Sequence, residues 1–429
     1  MRFSVVTHGC KLNQFESSSI ASKLVKLGLE YVEDFKQADI VIFNTCTVTD
    51  NADRKAIKLI KQVDKLKKVR NDIVFVVTGC FAQTDRERIV KFSGVDLVID
   101  NRLKHKIPEV IEFYINNGYF SFEKFKINKG SRFEFDPDSF LGRTRAFLKI
   151  QDGCNRLCSF CKVPFSRGGS ISLEYEEVIR RFRKLVDLGY KEIVITGVNI
   201  TNYYSNGYTL KDLLKEMSNV RGEFRIRLSS IMPDEFDVGI LEFVSYGKVV
   251  PHLHISLQSG SDRIIKLMRR NYTSYDILRL SDTARKYYDD FGLTGDVIVG
   301  FPGETDDDFS QTIDTVKKAG FFRLHIFPFS PRKGTLASLM PEQVPYEVKK
   351  DREKMLANVV RDLSVEFKKK FLYKKVRIIP EEAWDGGVYG YSDNYLRVFY
   401  RTKDFRKNEF CYVEVTDINE SDPTTVIAS

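Results

Sequence analysis

Short apolar runs alternate with longer amphipathic stretches through the first hundred residues, the rhythm of a parallel sheet with crossover helices. Strands are expected at Phe3 to Thr7, Asp39 to Asn44 and Ile73 to Thr78, with a shorter one through Asp96 to Ile99. Helices are expected at Gln14 to Leu27 and Asp53 to Lys67. Between Tyr119 and Phe140 the period dissolves into Phe, Lys, Glu, Gly and Pro, which reads as a linker or hairpin. A second rhythm starts at Thr144 to Ile150 and continues with strands at Glu192 to Thr196, Arg225 to Ser229, His252 to Leu257, Thr294 to Val299 and Leu324 to Phe329. Tyr175 to Leu188 is an amphipathic helix with Val178, Ile179, Phe182, Leu185 and Val186 on one face. Six strands with intervening helices predict an open, partial (β/α)6 TIM-like barrel rather than a closed eight-stranded one. A helix from Tyr346 to Phe371 leads into short strands at Val376 to Pro380, Gly387 to Tyr391, Tyr395 to Phe399 and Cys411 to Asp417, the pattern of a small OB-like β-barrel. The fold class is therefore α/β with a β-barrel at the C-terminus. Its expected parts are an α/β domain at 1–118, a linker at 119–140, a barrel core at 141–342, a connecting helix at 343–370 and the small barrel at 371–429.

Composition supports this division. The 429 residues are 42% hydrophobic, 13% aromatic and 30% charged, which suits an ordered chain of two to four domains at roughly 150 residues each. No apolar run approaches the roughly 18 residues of a membrane span, and Met1-Arg2-Phe3-Ser4-Val5-Val6-Thr7 opens a strand rather than a secretory leader, so a cytoplasmic location is expected. The net charge of +9 is compatible with a polyanionic partner. Lys350, Arg352, Lys354, Arg361, Lys368, Lys369, Lys370, Lys374 and Lys375 form either a phosphate-facing surface or a solvated helix face, since Asp351, Glu353, Asp362 and Glu366 are interleaved with them. Small β-barrels often bind RNA by stacking and backbone contact, and the neighbouring lysines favour that role over a stabilising cap.

The cysteines carry the chemistry. Cys154, Cys158 and Cys161 make a Cys-x3-Cys-x2-Cys triplet just past the first barrel strand, where active-site residues of such barrels gather. Three thiolates can hold three irons of a 4Fe-4S cluster and leave the fourth open, whereas structural zinc takes four ligands. A zinc knuckle would have to borrow a distant side chain, and no histidine lies between His105 and His252. Cys10, Cys46 and Cys80 are far apart in sequence, yet each follows the end of a strand in the first domain, in Thr-His-Gly-Cys, Asn-Thr-Cys and Thr-Gly-Cys. Parallel strands place their C-terminal ends on one edge, so three-cysteine convergence is expected there, with Gly9 and Gly79 letting the backbone approach a bound object. Buried structural thiols are the plainer alternative. Cys411 lies in an apolar strand and is read as a structural cysteine.

The other barrel strands end in Thr196-Gly197-Val198-Asn199, Ser229-Ser230, Gln258-Ser259-Gly260 and Gly300-Phe301-Pro302-Gly303-Glu304. Ordinary turn chemistry explains each singly. Together they form a rim on which Asn199, Ser229, Gln258 and Gly300 can hold the polar groups of a small ligand.

The triplet spacing, with Phe-Leu-Lys-Ile-Gln-Asp-Gly-Cys, Arg-Leu-Ser-Ser, His-Ile-Ser-Leu-Gln-Ser-Gly-Ser-Asp and Asp-Val-Ile-Val-Gly-Phe-Pro-Gly-Glu-Thr, resembles the radical S-adenosylmethionine (SAM) methylthiotransferases, and the resemblance runs from end to end. Gly9-Cys10-Lys11-Leu12-Asn13-Gln14-Phe15-Glu16-Ser17 and Asn44-Thr45-Cys46-Thr47-Val48-Thr49 resemble the MtaB branch, which modifies N6-threonylcarbamoyladenosine. Lys162-Val163-Pro164-Phe165 and Gly169-Ser170-Ile171-Ser172-Leu173 depart from the usual pattern of that branch without touching a cysteine.

The resemblance implies a C-terminal TRAM domain that binds RNA, two 4Fe-4S clusters on the two cysteine sets, and two SAM molecules used per reaction. It implies conversion of the C2–H of N6-threonylcarbamoyladenosine at position 37, beside the anticodon, to C2–SCH3. Phe160 is then a candidate contact to the adenine of SAM. The implied partners are the tRNA anticodon stem-loop, a reductant such as flavodoxin or ferredoxin, and a sulfur donor, with the protein a monomer. The alternatives are the same chemistry on isopentenyladenosine tRNA or a ribosomal protein, and a non-catalytic iron-sulfur RNA-binding protein.

Overall fold

The computed structural model describes residues 1–120, 132–140, 143–402, 404–419 and 425–429, and the chain falls into two compact units. The first unit comprises Met1–Gly142 with Asp152–Arg156 and Cys161–Ile171. Its elements are β1 (Arg2–Thr7), α1 (Lys11–Lys26), β2 (Glu30–Tyr31), β3 (Ile40–Thr45), α2 (Asp50–Lys67), β4 (Val74–Gly79), α3 (Cys80–Thr84), α4 (Arg86–Ile89), β5 (Leu97–Ile99) and α5 (Ile107–Asn117). The strands form one parallel sheet in the order β2-β1-β3-β4-β5. Strands β3 and β4 are buried at every position, which is why they read as unbroken apolar runs rather than alternating ones. Helix α2 starts where the Thr49 hydroxyl accepts the Ala52 amide at 3.2 Å, and it lays Ala56, Leu59, Ile60 and Val63 on Val41, Phe43, Phe75 and Val77. Burying each of the larger aliphatic side chains stabilises the unit by about 1.5–3 kcal/mol.

Two expectations change here. Strand β2 was not expected, because its two exposed residues, Glu30 and Tyr31, carry no apolar signal. Within the stretch read as a linker, residues 121–131 lie outside the described residues, but residues 132–140 are part of the first unit. Phe133, Phe135 and Phe140 are buried there, with Phe135 6.5 Å edge-on from Phe15.

Continuing along the chain come β6 (Arg145–Lys149), β7 (Gln151–Asp152), α6 (Val163–Arg167), which belongs to the first unit, and β8 (Ile171–Ser172). The second unit then builds up through α7 (Tyr175–Asp187), β9 (Glu192–Thr196), the short β10 (Tyr204–Ser205) and β11 (Tyr208–Thr209), α8 (Leu210–Asn219), β12 (Arg225–Leu228) and α9 (Glu242–Ser245). It continues through β13 (His252–Gln258), α10 (Asp262–Leu267), α11 (Ser274–Tyr287), β14 (Gly292–Val299), α12 (Asp306–Ala319), β15 (Arg323–Pro328) and the long α13 (Tyr346–Lys369). The expected strands are all present and parallel. They divide into two three-stranded sheets, β6-β9-β12 and β13-β14-β15, linked by the isolated bridges Ile226–Val249 and Ile231–Ile255. Helix α13 packs beside β15, and its charges are not one surface. Arg352 is buried against Glu304 at 2.7 Å, Lys349 is buried with its ammonium on the Phe329 carbonyl at 3.2 Å, and Lys368 is also buried.

The C-terminal strands β16 (Lys375–Trp384), β17 (Gly387–Ser392), β18 (Arg397–Tyr400), β19 (Cys411–Ile418) and β20 (Thr425–Ala428) close a barrel in the order β16-β17-β18-β20-β19. The closing strand β20 was not anticipated. It is only four residues long, and it pairs parallel with β18 and antiparallel with β19. Cys411 is half-buried on β19 and packs against the barrel core.

A buried ion network joins this barrel to the strands of the same unit. Glu192 on β9 is fully buried between Arg225 and Arg227 of β12, its Oε1 2.9 Å from the Arg227 Nε. Burial alone would raise the Glu192 pKa, but the two guanidiniums overcome this and hold it well below the ordinary carboxylate range. Arg225 reaches Asp393 at 2.9 Å and the Tyr391 carbonyl at 2.9 Å, and Arg227 donates to the Ser392 and Asp393 carbonyls, both at 3.1 Å. Arg145 of β6 pairs with Glu381 of β16 at 2.8 Å. Tyr395, at φ 70°, stacks on His252 with ring centres 4.5 Å apart and lies under Arg227.

Candidate active site

Cys10 comes three residues after β1, Cys46 directly follows β3, and Cys80 directly follows β4. These three strands are neighbours in the parallel sheet, so the three cysteines leave it along one edge. Two glycines make the approach possible. Gly9 has φ +126° and an added Cβ would sit 3.0 Å from the Cys46 Cβ. Gly79 has φ +99° and its Cβ would sit 2.3 Å from the Thr45 carbonyl. Cys10 is exposed while Cys46 and Cys80 are buried. Burial pushes the Cys46 thiol up to about 12, and the nearby Cys80 and Cys10 sulfurs add to the rise. A metal bound at such a thiol would favour its thiolate form.

Polar side chains that sequence reasoning missed frame this trio. The Asn13 amide donates to the His8 carbonyl at 3.0 Å and the Thr45 carbonyl at 2.9 Å, tying the turn after β1 to the end of β3. The Asn101 amide lies 3.8 Å from the Cys80 sulfur and donates to the Ser166 carbonyl at 2.8 Å. Behind them, buried Lys104 pairs with Glu16 at 2.7 Å. Arg167 pairs with Glu16 at 2.8 Å and Asp152 at 3.2 Å, and it donates to Asn13 Oδ1 at 2.7 Å. The available signal was weak. Asn13 sits one helical turn from Cys10, whereas Lys104 and Arg167 sit in no periodic pattern.

Cys154, Cys158 and Cys161 stand within eight consecutive residues, so chain connectivity alone keeps them close. Gly153 has φ +71°, and an added Cβ would lie 2.1 Å from the Gly169 carbonyl. The Cys154 amide donates to the Gly168 carbonyl at 3.0 Å. The Arg156 amide is 3.4 Å from the Cys154 sulfur and the Val163 amide 3.5 Å from the Cys161 sulfur, donors suited to thiolates that carry metal. Residues Leu157–Phe160 belong to the second unit. There Ser159 is fixed through its amide to the Met268 carbonyl at 3.1 Å and its hydroxyl to the Leu267 carbonyl at 2.8 Å. Phe160 meets Phe301 edge-on at 6.4 Å with the Arg270 guanidinium 5.8 Å from its ring centre.

The rim residues lie at the end of β13 (Gln258) or just past the ends of β9, β12 and β14. The Ser229 hydroxyl is buried and has no hydrogen-bond partner among the described residues. Gln258 is in the left-handed region at φ 60°, a conformation rare for a residue with a side chain. The Gly300 amide donates to Glu304 Oε2 at 2.6 Å, and an added Cβ would lie 2.4 Å from Lys349 Cγ. Asn199 is more committed than expected. Its side-chain nitrogen donates to Glu235 at 2.7 Å, its backbone amide donates to Gln151 Oε1 at 2.8 Å, and its side-chain oxygen accepts from Thr201.

Residues 148–316 match the Radical SAM superfamily, and residues 2–100 match the Uncharacterized protein family UPF0004. The threonylcarbamoyladenosine tRNA methylthiotransferase MtaB of Bacillus subtilis is 38% identical over 410 residues, covering 92% of this chain and 89% of that protein. The chain belongs to the radical SAM tRNA methylthiotransferases. It is thus a transferase whose cofactors are 4Fe-4S clusters and SAM. The MtaB protein of Thermotoga maritima is 36% identical over 97% of the chain and 94% of its own length. A tRNA-2-methylthio-N(6)-dimethylallyladenosine synthase of Fusobacterium nucleatum is 37% identical over 88% of each. Among solved structures, the radical SAM methyltransferase TsrM of Kitasatospora setae superimposes with TM-score 0.55 at 15% identity, over 77% of this chain and 74% of that one, a likeness of fold. Among the described residues no helix is long and apolar enough to cross a membrane.

Proposed function

We propose that this methylthiotransferase converts N6-threonylcarbamoyladenosine at position 37 of tRNA to its 2-methylthio derivative, using two 4Fe-4S clusters and two SAM molecules. The observation that supports the two-cluster reading is that Cys10, Cys46 and Cys80 leave the sheet along one edge, a second set of three cysteines besides the Cys154 triplet. The acceptor is supported by the MtaB relatives and by Gly9 to Ser17, whose pattern resembles that branch.

When bound, the clusters and SAM supply the electron, the radical precursor, the methyl group and a binding place for sulfur. The adenosine C2–H is neither acidic nor at an electrophilic carbon, so hydrogen abstraction fits the task better than acid–base chemistry. Cys154, Cys158 and Cys161 hold three irons of one cluster, and Cys10, Cys46 and Cys80 three of the other. Phe160 and the rim of Asn199, Ser229, Gln258 and Gly300 position SAM, with the free Ser229 hydroxyl available to a ligand. The C-terminal barrel, a TRAM domain, takes RNA on exposed aromatics such as Trp384 and Tyr412. A low-potential protein such as flavodoxin or ferredoxin supplies electrons, and the reaction is placed in the cytoplasm.

Two single substitutions test the division of labour. A Cys158→Ala protein that retains iron at the first trio should make no 5′-deoxyadenosine from SAM under reductant. Cys46→Ala should still cleave SAM yet add no methylthio group. SAM cleavage by the former, or methylthiolation by the latter, overturns the assignment. The dimethylallyladenosine acceptor is the second reading, supported by the Fusobacterium nucleatum relative. Mass spectrometry of tRNA nucleosides from cells with and without the gene separates the two.

A further inference from the structure

Helix α2 begins four residues after Cys46 and presents an exposed stripe of cations along its length. Arg54, Lys58, Lys61, Lys65 and Lys68 recur at alternating intervals of four and three residues, the spacing that keeps side chains on one helical face, and the last follows directly on the helix end. All five are exposed, and none forms an ion pair among the described residues. Of the three acids of the helix, Asp50 is exposed at its first position, four residues before Arg54. Asp53 is buried, and Asp64 is turned to the Gly94 amide at 2.7 Å and the Ser93 hydroxyl at 3.1 Å. The cations flank a shallow groove of about 420 Å³ that also includes Ile57 and Gln62.

Like charges at these intervals destabilise a helix, and an ordinary solvated face relieves them with interleaved acids. Helix α13 shows that arrangement, with Lys350 on Glu353 at 2.7 Å, whereas α2 has no exposed acid between Arg54 and Lys68. The stripe spans about 21 Å at about 1.5 Å per residue, a rail of positive charge beginning beside the Cys46 turn. We infer that this face of α2 binds the phosphate backbone of the substrate tRNA, leading the strand toward the first cysteine trio. The inference rests on the proposed tRNA reading, and it assigns the first unit a share of RNA binding in addition to the C-terminal barrel. The partner is RNA rather than an acidic protein because the family acts on tRNA and a linear run of unpaired cations matches a regularly charged backbone.

The test is binding of unmodified full-length tRNA to the full iron-loaded chain from about 50 to about 200 mM salt. It compares the native protein with Lys58→Ala/Lys61→Ala/Lys65→Ala and with the charge-reversed Lys58→Glu/Lys61→Glu/Lys65→Glu. Iron content and thermal melting report folding, and the milder alanine variant keeps the test alive if the reversed one fails to fold. The alanine variant should bind at least tenfold more weakly at low salt, with a logarithmic salt slope shallower by about three. Native affinity and slope in a folded alanine variant would overturn the rail while leaving the tRNA reading intact. If the native protein itself binds no tRNA, the tRNA reading fails and the rail with it.

Discussion

At the residue scale, the side chains that set cluster behaviour are those next to the sulfurs. The Asn101 amide, 3.8 Å from the Cys80 sulfur, is placed to stabilise negative charge there. Asn101→Ala should therefore lower the reduction potential of the cluster proposed at Cys10, Cys46 and Cys80. The measurement is a spectroscopic redox titration in a chain whose Cys154, Cys158 and Cys161 are alanines, and an unchanged potential would deny the contact an electrostatic role. Asp308 illustrates a charge that stabilises the fold instead. It accepts from Ser261 at 2.6 Å, from the Thr305 hydroxyl at 2.7 Å and from Arg263. Burial raises its pKa, but the Arg263, Ser261 and Thr305 contacts outweigh that and hold it well below the ordinary 3.8. A depressed carboxylate contributes stability above its unfolded value and loses it as pH falls through the folded value. Asp308→Asn should thus cost about 1–2 kcal/mol in urea unfolding at pH 7, and the difference should shrink as the acid limb is approached.

At the element scale, the strands of the site were legible because burial on both faces writes continuous apolar runs, as in Val74 to Val77, and because each run stops at a cysteine or glycine turn. Strands β2 and β20 were not, since an exposed two-residue edge and a four-residue terminal pairing carry no pattern of their own. The cysteine positions were readable from strand ends alone. The Glu16, Lys104 and Arg167 cluster was not, because a buried ion pair joining residues 88 and 151 apart leaves no periodic trace. The basic run around α13 failed for the complementary reason, in that sequence shows charge but not which cations turn inward, as Arg352 and Lys368 do. Strand β4 supplies a sharp test of how its end is built. Gly79→Ala forces a side chain into positive φ against the Thr45 carbonyl. It should destabilise the chain by about 3 kcal/mol or more and lower iron bound per chain, read by denaturant unfolding and iron assay.

At the scale of the whole molecule, the second unit is held as one piece by charges that are useful only in company. Glu192 neutralises two buried arginines at once, and both also grip the segment Tyr391 to Asp393. Glu192→Gln leaves those guanidiniums without their carboxylate and should cost about 3–5 kcal/mol. Calorimetry should show the six-stranded region and the terminal barrel melting together in the native protein. Two separate transitions there would show that the network does not couple them.

The same grip has a genetic corollary. A nonsense or frameshift mutation between the end of α13 and Tyr391 deletes the carbonyls and Asp393 that receive Arg225 and Arg227, and it removes Tyr395 from His252. The upstream chain would still encode all six candidate cluster cysteines, yet two arginines would be left with fewer partners in an apolar interior. Such alleles should behave as complete losses of the protein rather than as weak binders of RNA, detectable as missing product on a blot from cells that still make the message.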